Sequence, residues 1–321
     1  MPVEIALTPD VNYYIGTVIA VCSIASSARP DCSLRFHILN VGFEDCHRTE
    51  LVELARRFHS QTEVVFHDVS GIDLSDFPLY SNNRMTYIRL QLPRILKDIA
   101  YVIYSDVDVL WMSDVARLWE LRSQVPLVGC VREQSAKTIE QEREWFCAHG
   151  LEFDASRYIC AGISLYNLEA IRRHDAFKEV VEFGCRHNDV RCADQTMMYA
   201  VLRKRMTLLP DEWQTFPRNG ISAEPGEPLV LHYAGEAPWK ATRLTHMITD
   251  TQLLWFRMCA KVFGESVWKS LRRFYSVPKI VTSRLLFLGI YRIPWVKRVF
   301  FVVMRKLGCG PYDEALPRSW R

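Results

Sequence analysis

The chain has 321 residues, of which 49% are apolar, with 40 Lys and Arg against 37 Asp and Glu. This length and apolar share are enough for a stable core, and they exclude a disordered, collagen-like or low-complexity protein. The net charge of +3 is divided unevenly: residues 266–312 contain ten Lys or Arg and no acidic residue, which leaves residues 1–265 with a net charge of −7. A charge division of this size predicts two parts with different tasks.

Strand-like and helix-like segments alternate through the acidic part. Residues 4–7 form the first predicted strand, and the uncharged residues 11–28 are predicted to form a buried helix after it. The uncharged run approaches the length of a signal-peptide core, but Asp10 precedes it and a basic start is missing, so we interpret it as a helix of the fold. A further helix is predicted at 46–59, and further strands at 34–39, 62–69, 101–104, 126–131 and 161–165.

This alternation predicts an α/β protein with a mainly parallel central sheet flanked by helices, in which ligands bind beyond the carboxyl ends of the strands. The sequence has no glycine-rich phosphate loop after the first strand and no GxxxxGK[ST] motif. A dinucleotide-dependent dehydrogenase and a P-loop enzyme are therefore disfavoured. The ten cysteines are scattered without a Cys-x-x-Cys pair. This spacing indicates buried thiols in a reducing compartment rather than a disulfide scaffold or a cysteine zinc site.

Two carboxylates at the end of a strand form the most informative segment. Asp106 and Asp108 follow the apolar residues 101–104 and flank Val107. In extended backbone, side chains two residues apart point the same way, so both carboxylates can face one pocket. Like charges at that distance favour a cation between them, and hard oxygen ligands suit magnesium and manganese. An isolated Asp-x-Asp also fits a solvated turn, and at this point both interpretations stand.

A second segment, residues 228–240, is a predicted strand that leads into a loop with a Pro-Trp pair. His232 ends the strand and could supply an imidazole to the same ion. Gly235 would let the backbone approach a phosphate closely, and Lys240 could neutralise one. A histidine in such a position is also common as a hydrogen-bonded core residue.

Six motifs in a fixed order carry a resemblance to a known family. They are IALTPDVNYY near the start, MTYIRLQLPRIL at 85–96, YSDVDVLW, YICAGISLYNL at 158–168, ADQTMMYAVL at 193–202 and LHYAGEAPWK. With these motifs the chain resembles glycosyltransferase family 8, the retaining enzymes with a GT-A fold that include bacterial lipooligosaccharide and lipopolysaccharide hexosyltransferases and glycogenin. The resemblance covers roughly residues 1–265, which it marks as a GT-A catalytic domain.

The resemblance implies functions for the matching residues. The uridine and ribose of a UDP-sugar donor would be held by the loop after the first strand, through Ala6, Asp10, Asn12 and Tyr13. The metal that bridges the diphosphate, manganese or else magnesium, would be bound by Asp106, Asp108 and His232. Further donor contacts are implied for Thr86, Arg89, Val107, Gly235 and Lys240.

The transferred sugar would lie against the second half of the domain. Small residues that let the sugar ring approach the backbone are matched by Ala161 and Gly162, and the implied catalytic pair is Asp194 and Gln195. Cys160 occupies the place where the family usually has Asn, and its thiol is a poor hydrogen-bond partner for a sugar hydroxyl. The lysine that usually precedes the Pro-Trp pair is also missing.

These departures leave an alternative open. The resemblance implies an enzyme that moves a hexose, galactose or glucose, from a UDP-sugar to a saccharide acceptor, with a lipopolysaccharide or lipooligosaccharide core as the expected class. The alternative is a catalytically impaired GT-A protein that acts as a membrane-bound glycan-binding or scaffold subunit. A nucleotidyltransferase also uses paired carboxylates, but it does not account for the motifs around Asp194 and His232.

The basic residues 266–321 form a separate predicted tail. Cations alternate there with large apolar residues, and Pro278, Pro294 and Pro311 divide residues 266–312 into short predicted helices. Such segments lie in the interface plane of anionic membranes, so we expect a peripheral protein on the cytoplasmic face of a membrane, near a glycolipid acceptor. Nucleic-acid binding is disfavoured by the strongly apolar faces. A C-terminal helical subdomain packed on the body of the protein is the remaining alternative.

Overall fold

The computed structural model describes residues 1–80, 83–216, 229–235, 237–240 and 248–292, with side chains as far as Arg284. These residues fall into two compact units, which are described separately. The first unit holds Met1–Thr215 and the strand Val230–His232, and the second holds Phe216 and the described residues from Tyr233 onward. A domain boundary after residue 265 stays a prediction, and by its contacts the helix that ends at Phe263 belongs to the second unit.

Nine strands are described in the first unit, and the predicted ones are confirmed within a few residues. They are β1 Val3–Leu7, β2 Leu34–Asn40, β3 Thr62–Asp68, β4 Tyr101–Ser105, β5 Val109–Trp111, β6 Val128–Arg132, β7 Ile159–Asn167, β8 Met206–Leu209 and β9 Val230–His232. Its α-helices are α1 Tyr14–Ser27, α2 Asp45–Phe58, α3 Leu92–Ile95, α4 Ala116–Glu120, α5 Ala136–Ala148, α6 Leu168–Arg173, α7 Ala176–Arg186 and α8 Ala193–Leu202.

The uncharged residues 11–28 form the predicted buried helix. The segment opens with a 3-10 turn at Val11–Tyr13, where the Asp10 carboxylate accepts the backbone N–H of Asn12 at 2.8 Å. Helix α1 follows, and its residues 16–25 are all buried. Because the helix is covered on every side, its sequence shows no amphipathic period, which explains its likeness to a signal-peptide core.

A seven-stranded sheet forms the core of the first unit, in the order β3-β2-β1-β4-β7-β6-β8. Strand β7 runs antiparallel to β4 and β6, and the remaining pairings are parallel, so the predicted mainly parallel sheet is confirmed. From β1 the chain first proceeds outward to β2 and β3, and β4 then returns to the other side of β1. The strand order therefore reverses between β1 and β4, where open α/β sheets bind their ligands.

A separate two-stranded antiparallel sheet joins two segments that are far apart in the sequence. Strand β5 pairs with β9, with Val109 opposite His232 and Trp111 opposite Val230. This register brings the end of β9 beside the residues that precede β5. The polar segment Asp106–Asp108 and His232 are neighbours for this reason, although more than 120 residues separate them in the sequence.

The second unit contains three described helices, α9 Asp250–Phe263, α10 Val267–Phe274 and α11 Val277–Arg292. Pro278 stands at the second position of α11, so the predicted break at this proline is confirmed. Of the aromatic residues in the predicted membrane tail, Tyr275 is buried and its hydroxyl donates to the Pro238 carbonyl at 2.6 Å, whereas Trp268 is 47% exposed. The tail's side chains from residue 285 onward lie outside the described part. Among the residues that the structure describes, no helix has the length and apolar character needed to cross a membrane.

The Glu265 carboxylate organises the start of the tail. Arg273 donates to both of its oxygens at 2.8 and 2.9 Å, and the Ser270 hydroxyl donates at 2.7 Å. The fork of the Arg273 guanidinium lowers the pKa of Glu265 to about 2, against a partial opposing effect of burial. At least one of the tail's cations is thus neutralised by an acidic residue just before the tail.

Replacing Glu265 by Gln is expected to lower the free energy of unfolding by about 1–2 kcal/mol at pH 7. The expected loss is small because Arg273 is nearly half exposed, and solvent therefore screens the ion pair. Since the pKa is depressed, the contribution is complete above the ordinary value of 4.5 and is lost as pH falls toward 2. Urea denaturation at pH 7, 4 and 2.5 measures it. The control Glu53→Gln, on the exposed face of α2, should change nothing, and an unchanged midpoint for Glu265→Gln would show that the pair adds no stability.

Candidate active site

The candidate site lies at the carboxyl ends of β1 and β4, where the strand order reverses. Asp106 follows β4 directly, and its backbone N–H donates to the Gly162 carbonyl of β7 at 2.8 Å. The Tyr104 hydroxyl donates to the Asp106 carboxylate at 2.9 Å and lies 2.9 Å from the Thr8 hydroxyl, which follows β1. A chain of two hydroxyls therefore leads from the end of β1 to the Asp106 carboxylate.

Asp106, Asp108 and His232 offer one ligand atom each, and these three atoms lie within 4.8 Å of one another. The Nε2 atom of His232 is 3.3 Å from a carboxylate oxygen of Asp108 and 3.6 Å from one of Asp106. Two carboxylates that face one imidazole nitrogen need a positive charge among them, either a proton on the ring or a divalent cation. Two hard oxygens and one imidazole form a ligand set that suits Mn²⁺. The predicted convergence of the three residues is confirmed.

Gly162 is required for this arrangement because the imidazole lies against its Cα. A Cβ atom at this position would lie 2.3 Å from Cε1 and 2.6 Å from Nδ1 of His232, and 3.0 Å from an Asp106 carboxylate oxygen. These distances are well below van der Waals contact, so any side chain would displace the ring. The small residue predicted to admit a sugar ring thus also makes room for the histidine.

Arg89 connects the carboxylates to the rest of the site. Its guanidinium is buried, donates to Asp106 at 2.9 Å and to the Ala161 carbonyl at 2.7 Å, and lies 3.0 Å from a carboxylate oxygen of Asp194. The cation also lies 4.1 Å from the centre of the Tyr104 ring. One side chain therefore fixes the spacing between Asp106 and Asp194.

The predicted catalytic pair occupies the first turn of α8. Ala193, which precedes the pair, has a φ of 48°, a conformation that costs a non-glycine residue roughly 1–2 kcal/mol. Asp194 is buried and accepts a short hydrogen bond from the Thr86 hydroxyl. The Gln195 amide oxygen accepts the Ala161 backbone N–H at 3.2 Å, and its nitrogen donates to the Tyr158 hydroxyl at 3.1 Å.

The surroundings of these groups shift their pKa values in different directions. Burial raises the pKa of Asp194 and of Asp106, with Arg89 opposing the shift in both cases. Burial would also raise the pKa of Asp108, but His232 outweighs it and holds that pKa below its usual value. For His232, burial acts to lower the pKa, and the Asp108 carboxylate and its hydrogen bond hold it well above the ordinary range. The site thus stabilises positive charge between its carboxylates.

Cys160 and Val107 are both buried at the site. The Cys160 side chain lies near His232 and contributes to the raised pKa of the imidazole. A residue in the position of the usual family asparagine therefore lies against the histidine. The sequence did not indicate Tyr104 and Thr8 as site residues. Tyr104 could have been found from its two-residue spacing to Asp106, which places both side chains on one face of the strand.

The remaining predicted donor residues fall into two groups. In the first unit, Ala6 is fully buried inside β1, so only its backbone can face a ligand. Asp10 precedes the 3-10 turn described above, and Asn12 and Tyr13 lie within it. In the second unit, Gly235 has a φ of 74° with open space at its Cβ position, and Lys240 is exposed. Their part in donor binding stays a prediction.

Replacing Gly162 by Ala is expected to weaken Mn²⁺ binding at least about tenfold, because the added Cβ displaces the His232 ring and such misplacement costs a metal site 10–100-fold. Isothermal titration calorimetry with Mn²⁺ measures it. Gly71→Ala is the matched control, since nothing lies within 4 Å of its Cβ position. Equal Mn²⁺ affinity in the wild type and Gly162→Ala would contradict the assignment of His232 as a ligand.

Comparison with known proteins agrees with the geometry. The Glycosyl transferase family 8 model matches residues 4–243. General stress protein A of Bacillus subtilis (strain 168) is 22% identical over 241 residues, which cover 68% of this chain and 81% of that protein. The galactosyltransferase LgtC, solved in complex with donor and acceptor sugar analogs, has a TM-score of 0.64 at 23% identity and covers 82% of this chain and 96% of its own.

A further structure extends the comparison. The apo structure of the bifunctional glycosyltransferase WbbM has a TM-score of 0.64 at 20% identity over 83% of this chain, which spans about half (52%) of the WbbM chain. These structural likenesses show a GT-A fold. The family model reaches from β1 past β9 and so includes every strand and loop that builds the site. The chain is therefore a glycosyltransferase with a GT-A fold that belongs to glycosyl transferase family 8.

Proposed function

We propose that the protein transfers a hexose, galactose or glucose, from a UDP-sugar to a hydroxyl group of a saccharide acceptor. The observation that carries the proposal is the convergence of Asp106, Asp108 and His232 within 4.8 Å at the switch point of the sheet. The Arg89 guanidinium contacts both Asp106 of this group and the buried Asp194. The Asp194 carboxylate is therefore separated from the proposed diphosphate site by this guanidinium. A nucleotide-binding end and a sugar-binding end are thereby held at a fixed distance.

The donor would be held at its diphosphate by Mn²⁺, or Mg²⁺, bound to Asp106, Asp108 and His232. When bound, the ion supplies positive charge that stabilises the leaving UDP phosphate. Among the chain's own groups, Arg89 fixes the Asp106 carboxylate, and the Tyr104 hydroxyl occupies one of its lone pairs. The uridine and ribose would contact the loop that follows β1, where the Asp10 carboxylate is already fixed by its hydrogen bond to the backbone of Asn12.

The transferred sugar would lie between β7 and the first turn of α8. During transfer the bond from the anomeric carbon to the UDP oxygen would break with its electron pair left on UDP, a bond to the acceptor oxygen would form, and the acceptor proton would pass to the leaving UDP phosphate. Both ends of the Gln195 amide are engaged, with Ala161 and with Tyr158, so we assign it to positioning rather than to nucleophilic attack. Asp194, fixed by Thr86 and Arg89, would anchor sugar hydroxyls. Retention of the anomeric configuration is expected from the family.

We further propose a lipopolysaccharide or lipooligosaccharide core as acceptor and a peripheral position on the inner membrane face. The support for membrane attachment is the exposed Trp268 on α10, beside the exposed cation Arg272. Trp268→Ser is expected to reduce co-sedimentation with phosphatidylglycerol vesicles at least about threefold, because an interfacial indole contributes apolar area at the headgroup level. Phosphatidylcholine vesicles are the control, and equal binding of wild type and variant to anionic vesicles would contradict the tail assignment.

The proposed activity is tested with a panel of UDP-sugars and Mn²⁺, by measuring the slow release of UDP without an acceptor. Turnover of UDP-galactose or UDP-glucose above the other donors is the expected result, and it would name the donor. The rival function, a catalytically impaired glycan-binding subunit, is motivated by Cys160 in place of asparagine. Absence of turnover with every donor, in protein that still binds UDP, would favour that rival and contradict the proposal.

A further inference from the structure

A second group of metal-ligand side chains lies away from the candidate active site, where α5 and α7 end. His149 is the C-cap residue of α5, His187 is the C-cap residue of α7, and Asp189 follows two residues later. One ligand atom of each lies within 4.8 Å of the other two. The negative ends of two helix dipoles and one carboxylate meet at this point, a combination that favours a cation.

The His149 ring is oriented as in many metal sites. Its Nδ1 atom lies 2.8 Å from the Trp145 backbone carbonyl, which can only accept, so Nδ1 carries the proton. The Nε2 atom therefore points to the opposite side, where it lies 3.2 Å from a carboxylate oxygen of Asp189. At that distance the two atoms share a positive charge, either a proton on Nε2 or a divalent cation. Ligand atoms in a tetrahedral zinc site with bonds of about 2.0–2.1 Å are about 3.3 Å apart, close to this distance.

The surroundings hold the other two ligands in place. The indole N–H of Trp145 donates to the same Asp189 oxygen at 3.2 Å, as outer groups commonly do toward metal-binding carboxylates. The Trp145 ring stacks on His149 with 4.1 Å between ring centres, and the Phe183 ring stacks on His187 at 4.3 Å. Both imidazoles are thus oriented by packing. With Asp189 they offer three ligand atoms within 4.8 Å of one another, and a tetrahedral ion would keep its fourth position open for water.

A different surface group, Glu44, Cys46 and His47, meets the same distance condition but has an evident structural function. The Glu44 side chain accepts from the backbone at the start of α2, and the His47 ring accepts the backbone N–H of Glu44 at 3.1 Å. These polar atoms form a capping box. At the His149 group, in contrast, the Nε2 atom faces a carboxylate oxygen and caps no helix.

We infer that His149, His187 and Asp189 form a divalent-cation site selective for Zn²⁺ over Mn²⁺ and Mg²⁺, separate from the active site. Two imidazoles and one carboxylate favour zinc, whereas the two carboxylates and one imidazole of the active site suit Mn²⁺. A cation there ties the end of α5 to the connection between α7 and α8. That connection leads directly to Asp194 and Gln195, so the site would fix the entry to the first turn of α8.

The test uses full-length protein in the Asp108→Asn background, which removes one of the three active-site ligands, after treatment with EDTA and dialysis. Titration with Zn²⁺ in the calorimeter is expected to show one equivalent that a millimolar excess of Mn²⁺ does not displace. Asp189→Asn, which keeps the hydrogen bond from Trp145, should weaken Zn²⁺ binding at least about 100-fold. His187→Phe, which keeps the stacking on Phe183, should do the same, and circular dichroism confirms that each variant folds.

A spectroscopic readout completes the design. Cobalt bound in place of zinc is expected to give a visible absorption band of a four-coordinate ion, lost in Asp189→Asn and retained in Cys46→Ser. Zinc binding that is unchanged in both Asp189→Asn and His187→Phe would overturn the inference. So would zinc binding that disappears in Asp108→Asn alone, because the zinc would then belong to the active site. The result is independent of sugar transfer, since no step of the test measures activity.

Discussion

Replacing Asp108 by Asn is expected to reduce sugar transfer at least about 1000-fold in a variant that still folds. The variant keeps the size of the side chain but removes one negative ligand from the pair that faces His232. A divalent ion at the diphosphate contributes several kcal/mol of transition-state stabilisation, and about 4 kcal/mol corresponds to 1000-fold. The rate of UDP release at saturating donor and Mn²⁺ measures the effect.

Asp98→Asn is the matched control for this variant. Asp98 is an exposed carboxylate shortly before the amino end of β4, at the opposite end of the strand from Asp106. It should retain full activity. If Asp108→Asn keeps more than a tenth of wild-type turnover while it still folds, the carboxylate is not a metal ligand that the reaction needs.

Replacing Arg89 by Met is expected to lower the free energy of unfolding by about 3–5 kcal/mol as well as to abolish transfer. The guanidinium is buried and its charge faces both Asp106 and Asp194, so its removal leaves two carboxylates without their cation. Leaving a buried charge uncompensated has this cost in other proteins. Thermal unfolding followed by circular dichroism should show a melting temperature lower by about 10 °C.

The loss of stability in Arg89→Met should depend on pH with a definite sign. Burial raises the pKa of Asp194 above its ordinary value even with Arg89 present, and removing Arg89 raises it further. A buried carboxylate with a raised pKa destabilises the fold above that pKa, and the penalty is lost as the group becomes protonated. The difference in melting temperature between wild type and variant should therefore be smaller at pH 5 than at pH 7.5.

The control for this variant is Arg94→Met, which removes an exposed guanidinium one turn beyond the same segment. Its melting temperature should match that of the wild type at both pH values. A stable, pH-independent Arg89→Met variant would show that the two carboxylates do not need the arginine, and the account of how Asp106 and Asp194 are spaced would then be wrong.

The sequence predicted the strands and the paired carboxylates because both are local patterns. An apolar run before Asp106 marks a buried strand, and the two-residue spacing places both carboxylates on one side. The contact with His232 depends on the pairing of β5 with β9, which joins segments more than 120 residues apart. Local periodicity cannot show such a pairing; only the order of the family motifs indicated it.

The function of Arg89 as a bridge could not be predicted from the residues alone. A buried arginine between two carboxylates depends on where the turn at Met85–Gln91 and helix α8 meet, and neither segment contains a signal for the other. The same holds for the proximity of Cys160 to His232. The sequence identified Cys160 as a departure from the family, but its position beside this histidine needed the structure.

The basic tail illustrates a different limit. Aromatic and cationic residues at helical spacing fit a lipid-facing helix and a packed helix equally well, because both bury the apolar face. In the structure Tyr275 packs inside the second unit, while Trp268 is exposed and Glu265 neutralises Arg273 from outside the basic segment. A net-charge count by segment treats these cations as free for a membrane, and it therefore overestimates the charge available there.

The central claim is that Asp106, Asp108 and His232 hold a divalent ion that in turn holds a nucleotide diphosphate. The most direct test is the affinity of UDP for metal-stripped full-length protein, titrated calorimetrically with and without Mn²⁺, in the wild type and in Asp108→Asn. Mn²⁺ should tighten UDP binding at least about tenfold in the wild type and have no effect in the variant, a difference of about 1.4 kcal/mol or more. UDP affinity that is independent of Mn²⁺ in the wild type, or equally enhanced in Asp108→Asn, would contradict the claim.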